Sequence, residues 1–279
     1  MGNRLSNSFA LVKASAHVLR LDKELMLFPV MSGISTILVC ATFVAPIAAT
    51  GAWELFTADG QGGYAPLSIM FGFYVVLYTV IFFFNAALVG AALIRLDGGD
   101  PTIGDGLAIA SKRMGSILGY AVIAATVGMI LRMIAERSGF LGKLVAGLFG
   151  MAWTLATYLA VPVLVTKDVG PLDAVKESAM VFKRTWGEQV VGNFGMGWAI
   201  LLMVLGWTAV SGLALYVSAN LVPVAILPAI GVAVLGYILL GLFGSALNGV
   251  YTAALYRYAM TGEVANFDPS IMGNAFRPK

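Results

Sequence analysis

The sequence predicts an all-α integral membrane protein with six transmembrane helices. Of its 279 residues, 59% are hydrophobic and 11% are charged, whereas an average soluble domain has about 45–50% apolar and about 25% charged residues. The apolar residues are gathered into long runs, and most of the lysines and arginines lie before the first run, after the last run and in every second connection between runs. These observations exclude a soluble enzyme domain, a coiled coil and a disordered chain.

The spans follow from the apolar runs taken in chain order. A helix needs about 20 mostly apolar residues to cross roughly 30 Å of hydrocarbon. Between Glu188 and Arg257 lie 68 residues without a charge, roughly 100 Å of helix and therefore two crossings. A turn is predicted between those two crossings at Ser218–Pro223, and Pro162 is expected to kink the fourth span. The predicted spans cover residues 25–51, 67–94, 117–131, 144–166, 190–217 and 224–256.

The distribution of basic residues predicts the orientation. Fourteen of the 17 lysines and arginines fall on the side that holds both termini, and the other side has Arg132, Arg137 and Lys143. Cytoplasmic loops carry the excess of Lys and Arg, so both termini are expected in the cytoplasm. Residues 1–265 then form a single transmembrane domain in a bacterial inner (plasma) membrane, and 266–279 form a short cytoplasmic tail.

Each pair of predicted spans is preceded by a segment with the spacing of an amphipathic helix. The three apolar stripes are Leu5, Phe9, Val12, Ala16 and Leu19; Ile103, Leu107, Ala110, Met114 and Ile117; and Leu172, Val175, Ala179, Phe182 and Trp186. The basic side chains beside them are Lys13, Arg20, Lys112, Arg113, Lys183 and Arg184. Such helices lie in the lipid headgroup plane, although connecting helices packed on the bundle ends would show the same pattern.

The second and last predicted spans end alike. Residues 85–95 run from Asn85 to Arg95 and residues 248–257 from Asn248 to Arg257, and both contain Ala-Ala-Leu just before the arginine. The distance between asparagine and arginine differs by one residue. With the three amphipathic segments, this similarity predicts three hairpins, each preceded by a cytoplasmic interfacial helix.

Polar and small residues inside the spans are the candidate site residues. Asn85, Asn193 and Asn248 are expected either to bridge helices by hydrogen bonds or to line a polar cavity. A packing groove is predicted from small residues four apart, within the chain or between copies; they are Gly241, Ser245, Gly249 and Ala253.

Residues suited to chemistry are scarce. His17 is the single histidine and Cys40 the single cysteine, so no metal, cofactor or nucleophilic centre is expected. A membrane enzyme acting on lipid headgroups would need the carboxylates that follow the cytoplasmic ends of the spans, which are Asp97, Asp100, Asp105 and Asp168. We interpret them as solvated loop charges.

Two resemblances add a family expectation. Residues 158–178, YLAVPVLVTKDVGPLDAVKES, followed by Phe182, Lys183 and Arg184, resemble the membrane domain of glycerophosphoryl diester phosphodiesterases. Residues 8–29 are similar to the opening of a bacterial membrane family known only as a domain of unknown function. The resemblance to that family extends over nearly the whole chain. The resemblance implies a fold and no activity, because the phosphodiesterase chemistry resides in a separate soluble barrel domain, for which we expect no room here.

These expectations lead to two functional hypotheses. The first is a non-enzymatic membrane protein that scaffolds or anchors partners and contacts anionic lipid through its interfacial helices. The alternative is a permease or lipid-handling protein with a cavity between hairpins near Asn85 and Asn248. The expected partners are membrane lipids, other membrane proteins or a second copy of the chain, and no nucleic acid.

The topology predicts the outcome of accessibility labelling. In a Cys40→Ser background, Ser6→Cys and Ala275→Cys should react with an impermeant maleimide only from the cytoplasmic face, because an even number of spans returns the chain to its starting side. Ala58→Cys, in the predicted far-side loop, should react only from the opposite face. Labelling of the two termini from different faces contradicts the six-span topology.

Overall fold

The computed structural model describes residues 13, 15–52, 64–137, 139–186, 195–221 and 223–261. Residues 15–21 are helical, and 3-10 turns at Lys23–Met26 and Pro223–Ala225 precede the first and last long helices. The long helices are α1 (Leu27–Thr50), α2 (Ala65–Leu96), α3 (Ile103–Lys112), α4 (Met114–Arg137), α5 (Gly139–Ala156), α6 (Ala160–Thr166), α7 (Pro171–Trp186), α8 (Gly195–Leu221) and α9 (Ile226–Thr261).

Six stretches of these helices are long and apolar enough to cross a membrane. They are Lys23–Thr50, Ala65–Leu96, Met114–Glu136, Gly139–Thr166, Ile200–Asn220 and Ile226–Thr261. No strand occurs in the part of the chain that the structure describes. The prediction of an all-helical protein with six candidate membrane spans is therefore confirmed.

Between the last two candidate spans, the helix continues through most of the predicted turn at Ser218–Pro223. Helix α8 continues to Leu221, and the 3-10 turn begins at Pro223. Asn220 stays helical because its side-chain amide donates to the Tyr216 carbonyl, four residues back, at 2.8 Å. Pro223 starts the turn because it has no backbone N–H to continue a helix.

The fourth predicted span is interrupted rather than merely kinked. Helix α5 ends at Ala156, residues 157–159 form turns, and α6 begins at Ala160. Pro162 lies in the first turn of α6, where it has no N–H to bond the Tyr158 carbonyl and its ring would crowd that carbonyl in a continuous helix. The proline therefore forces a break where the sequence predicts a kink.

The core lies around the C-terminal parts of α2 and α9. Residues 86–92 of α2 and 249–256 of α9 are buried, and both helices are longer than the 20 or so residues that a span requires. Helices α3, α6 and α9 all contact α2. Close approach is possible because the residues at these contacts are small: a Cβ on Gly106 would lie 2.7 Å from the Ala87 carbonyl oxygen.

The close contact between α3 and α2 predicts a specific loss of stability. Gly106→Ala should lower the free energy of unfolding by about 1–3 kcal/mol, because the new methyl group meets a backbone carbonyl and the Phe28 ring, 2.5 Å away. The matched control is Gly104→Ala in the same helix, where the nearest atom is the Thr102 hydroxyl at 3.5 Å. Thermal unfolding in detergent should show a lower midpoint for Gly106→Ala alone; equal midpoints would mean that α3 does not lie against α2.

Candidate functional site

Charged and polar contacts bring several helix ends to one end of the bundle, here called the junction end. Arg257, near the end of α9, donates from Nε to Asp97 Oδ1, after α2, at 2.7 Å. The backbone N–H of Ile103, at the start of α3, donates to Glu24 Oε2 at 3.0 Å. Arg113, just before α4, pairs with Asp168, just after α6. These pairs join residues between 55 and 160 positions apart.

Three helical segments surround the junction end, and together they are called the collar: residues 15–21, α3 and α7. Val18 and Leu19 are buried in the same apolar cluster as the ends of α2 and α9. Helix α3 lies on α2 through Gly106. Helix α7 begins against α4, where a Cβ on Gly119 would lie 2.8 Å from Pro171 Cγ. The collar thus brings α3, α7 and the described end of the first predicted amphipathic segment to the same end of the molecule. Leu5, Phe9 and Val12 of that segment lie outside the described residues.

Helix α7 is buried along a face of small residues. Ala174, Ser178 and Val181 are buried, whereas Leu172, the first residue of the predicted apolar stripe, is 59% exposed. The stripe therefore lies to one side of the face that contacts the bundle. Val175, Ala179 and Phe182 are half-buried, and the Trp186 side chain lies outside the described residues.

Ser178 completes the hydrogen bonding of the interrupted fourth span. The Leu159 backbone N–H, in the turns between α5 and α6, donates to Ser178 Oγ at 3.0 Å, and this bond is buried. Lys167 and Glu177 form an ion pair farther along the same contact. The helix break and α7 are therefore one unit, because a buried N–H without an acceptor is costly.

Helix α3 begins with a capping box. The Thr102 hydroxyl accepts from the Asp105 N–H at 3.2 Å, and Asp105 Oδ2 accepts from the Thr102 N–H at 2.9 Å. The hydrogen bonds from Thr102 to the ionised carboxylate lower the pKa of Asp105. The predicted stripe of this segment does not continue as one helix: the chain turns at Arg113, and Met114 and Ile117 belong to α4.

The predicted headgroup contacts fall into three groups. Lys13, Arg20, Lys112 and Lys183 are exposed at the collar. Arg113 has a side chain only 17% exposed, and it is paired with Asp168. The side chain of Arg184 lies outside the described residues.

The carboxylates proposed for a headgroup enzyme all have partners. Asp97 accepts from Arg257, Asp168 pairs with Arg113, and Asp105 belongs to the capping box. Asp100 Oδ1 lies 3.3 Å from Arg95 Nη1. The partners of Asp97 and Asp168 lie 160 and 55 positions away, so they leave no local pattern in the sequence.

Only some residues of the predicted asparagine site and packing groove lie at a helix contact. A Cβ on Gly249 would overlap Leu88 and lie 3.9 Å from Asn85 Oδ1, so α2 and α9 cross at this point. Gly249 and Ala253 are buried and Asn85 is half-buried, whereas Asn248 is exposed. Gly241 and Ser245 are exposed as well, so the groove extends over half its predicted length, and Asn193 lies outside the described residues.

Metal-ligating side chains do not converge in the part of the chain that the structure describes. Within the described ranges, no group of three or more His, Cys, Asp or Glu residues could hold a metal ion. His17 is exposed and Cys40 is half-buried. The polar residues at the junction end thus hold helices together by pairing with each other.

Six apolar helices and a polar collar at one end define a multi-pass helical protein of the membrane class. The model of a family of unknown function, DUF6159, matches residues 64–266, and the chain belongs to this family. Residues 8–29, which carried one of the resemblances, lie outside the matched segment. No curated protein and no solved structure matches the chain, so the similarity to the phosphodiesterase membrane domain is not shown.

The bond between Ser178 and Leu159 predicts a measurable local effect. Ser178→Ala should cost about 1–3 kcal/mol in free energy of unfolding, because it leaves the buried Leu159 N–H without its acceptor. Ser111→Ala, an exposed serine on α3, is the control and should be near neutral. Hydrogen–deuterium exchange should be faster at residues 157–160 in Ser178→Ala only; unchanged exchange there would show that the serine is not the acceptor.

Proposed function

We propose that the protein is a non-enzymatic membrane scaffold whose collar contacts anionic lipid. In this proposal the six spans form three hairpins in a bacterial plasma membrane, with both termini in the cytoplasm and the collar in the headgroup layer. The packing supports the hairpins, because α1 contacts α2, α4 contacts α5 and α8 contacts α9. The orientation rests on the excess of Lys and Arg at the junction end.

The outward face of α7 is the observation that carries the proposal. Leu172 and Met180 are each 59% exposed, and Lys176 and Lys183 lie exposed on the same side of the helix. In water, the exposure of two large apolar side chains beside lysines would not be favourable. At a membrane surface the apolar groups enter the acyl boundary and the ammonium groups reach phosphate oxygens.

The charge of the collar favours anionic over zwitterionic lipid. Lys112 on α3 and Lys13 and Arg20 near the N-terminus are exposed at the same end as the α7 lysines. Each basic residue near an anionic surface contributes about 1 kcal/mol to binding. Several such residues on a collar fixed to the bundle would retain anionic lipid next to the protein.

The alternative of a permease has less support from the geometry. Its proposed cavity needed Asn85 and Asn248 to converge between hairpins. Asn85 lies half-buried beside Gly249 at the crossing of α2 and α9, whereas the Asn248 side chain is exposed. We therefore favour the scaffold.

Native mass spectrometry of retained lipid tests the proposal. Protein in mixed micelles with equal phosphatidylglycerol and phosphatidylcholine should retain mainly phosphatidylglycerol. Lys183→Gln should weaken that retention about fivefold, the equivalent of about 1 kcal/mol, and Lys176→Gln/Lys183→Gln should weaken it further.

The control is Lys143→Gln, because Lys143 is exposed at the far end of the candidate spans. This variant should retain phosphatidylglycerol as the unmodified chain does. Equal retention by the Lys176→Gln/Lys183→Gln variant, or an equal loss in Lys143→Gln, would overturn the lipid role of α7.

A further inference from the structure

The joint between residues 15–21 and the first candidate span contains a buried carboxyl group with a free oxygen. Asp22 is 5% exposed. Its Oδ1 accepts from the Glu24 backbone N–H at 3.2 Å. Its Oδ2 is buried and has no hydrogen-bond partner in the part of the chain that is described. Asp22 thus holds the start of the 3-10 turn with one oxygen and leaves the other unused.

The positive charge that acts most strongly on Asp22 is that of Arg95, at the end of α2. Its Nη1 atom donates instead to the Gly99 carbonyl at 3.1 Å and lies 3.3 Å from Asp100 Oδ1. The Asp100 side chain is 96% exposed, so water solvates it well without Arg95. The Arg95 guanidinium is therefore paired with an exposed carboxylate that water can solvate, while Asp22 Oδ2 has no donor among the described residues.

The other charged groups around the joint already have partners or point to solvent. Glu24 accepts from the Ile103 N–H, and Arg257, the one charged residue of α9, donates to Asp97. Helix α1 has no charged residue. On residues 15–21 and in the 3-10 turn, His17, Arg20 and Lys23 are exposed. Arg95 is thus the group that is able to pair with a negatively charged Asp22.

We propose that Asp22 is a proton-dependent latch that holds residues 15–21 of the collar against the end of α2. With Asp22 protonated, the neutral carboxyl group remains buried and Arg95 stays with Asp100. When Asp22 loses its proton, the buried charge either moves to water, which loosens the joint, or draws Arg95 away from Gly99 and Asp100, which offsets only part of the cost of burying the charge. The latch concerns how the collar is held and does not depend on lipid binding.

The direction of the pH dependence follows from the burial. Removal from water disfavours the charged form and raises the pKa of Asp22 above its ordinary value of 3.8. The docked segment therefore binds the proton more tightly than the undocked one. Docking is strongest at pH values below 3.8, weakens as the pH rises toward the raised pKa, and is constant above it.

Hydrogen–deuterium exchange of the full chain in nanodiscs, between pH 4 and pH 8, tests the latch. After correction for intrinsic exchange, the opening constant of residues 16–22 should rise with pH, by about tenfold for each unit by which the pKa is raised. Asp22→Asn keeps an oxygen for the Glu24 N–H and cannot ionise, so its opening constant should stay low and constant. Asp100→Asn removes the charge that competes for Arg95, so it should lower the pKa of docked Asp22 and make the rise smaller.

Two controls separate the latch from general titration. His17→Gln removes the nearby imidazole and Asp173→Asn removes an exposed carboxylate on α7, and both should keep the pH dependence of the unmodified chain. A flat profile in the unmodified chain overturns the proposal. So does a pH dependence in Asp22→Asn equal to that of the unmodified chain.

Discussion

Burial of the C-terminal ends of α2 and α9 is the constraint on which the rest of the structure depends. Both helices are longer than a bilayer requires, so each has several turns that other parts of the protein must surround. Small residues let those turns be covered closely: Gly106 of α3 rests on α2, and Gly249 of α9 faces Leu88 of α2. The collar exists because these two helix ends must be covered.

Backbone groups set free by this arrangement are satisfied by particular side chains. The Pro162 break between α5 and α6 leaves the Leu159 N–H without a helical acceptor, and Ser178 of α7 accepts from it. The start of α3 is satisfied by Thr102 and Asp105 within the helix and by Glu24 from the first turn. Segments far apart in the chain therefore depend on one another, which makes the junction end the most constrained part of the molecule.

Pairing also decides which charges face outward. Arg113 and Arg257 have largely buried side chains and are held by aspartates, whereas Lys112 and Lys183 extend from the collar surface. Lys176 pairs with Asp173 at 3.2 Å but keeps a side chain that is 71% exposed. Arginine suits the first role because its planar group bonds carboxylates in a fixed geometry, and lysine suits the second because its flexible stem carries a hydrated point charge. The division between structural and available cations follows from this chemistry.

The sequence by itself determined the helical class and the six candidate spans. These properties depend on residues within about 20 positions of one another, and hydrophobic length and period report them directly. It also predicted that Pro162 disturbs the fourth span, since the effect of proline is local.

Tertiary structure alone decided which face of α7 is buried, that Arg113 is paired while Lys112 is exposed, and that Gly249 but not Gly241 lies at a helix contact. It also left one oxygen of Asp22 buried without a donor. Each of these outcomes depends on residues brought together from distant parts of the chain, where neither periodicity nor composition carries information.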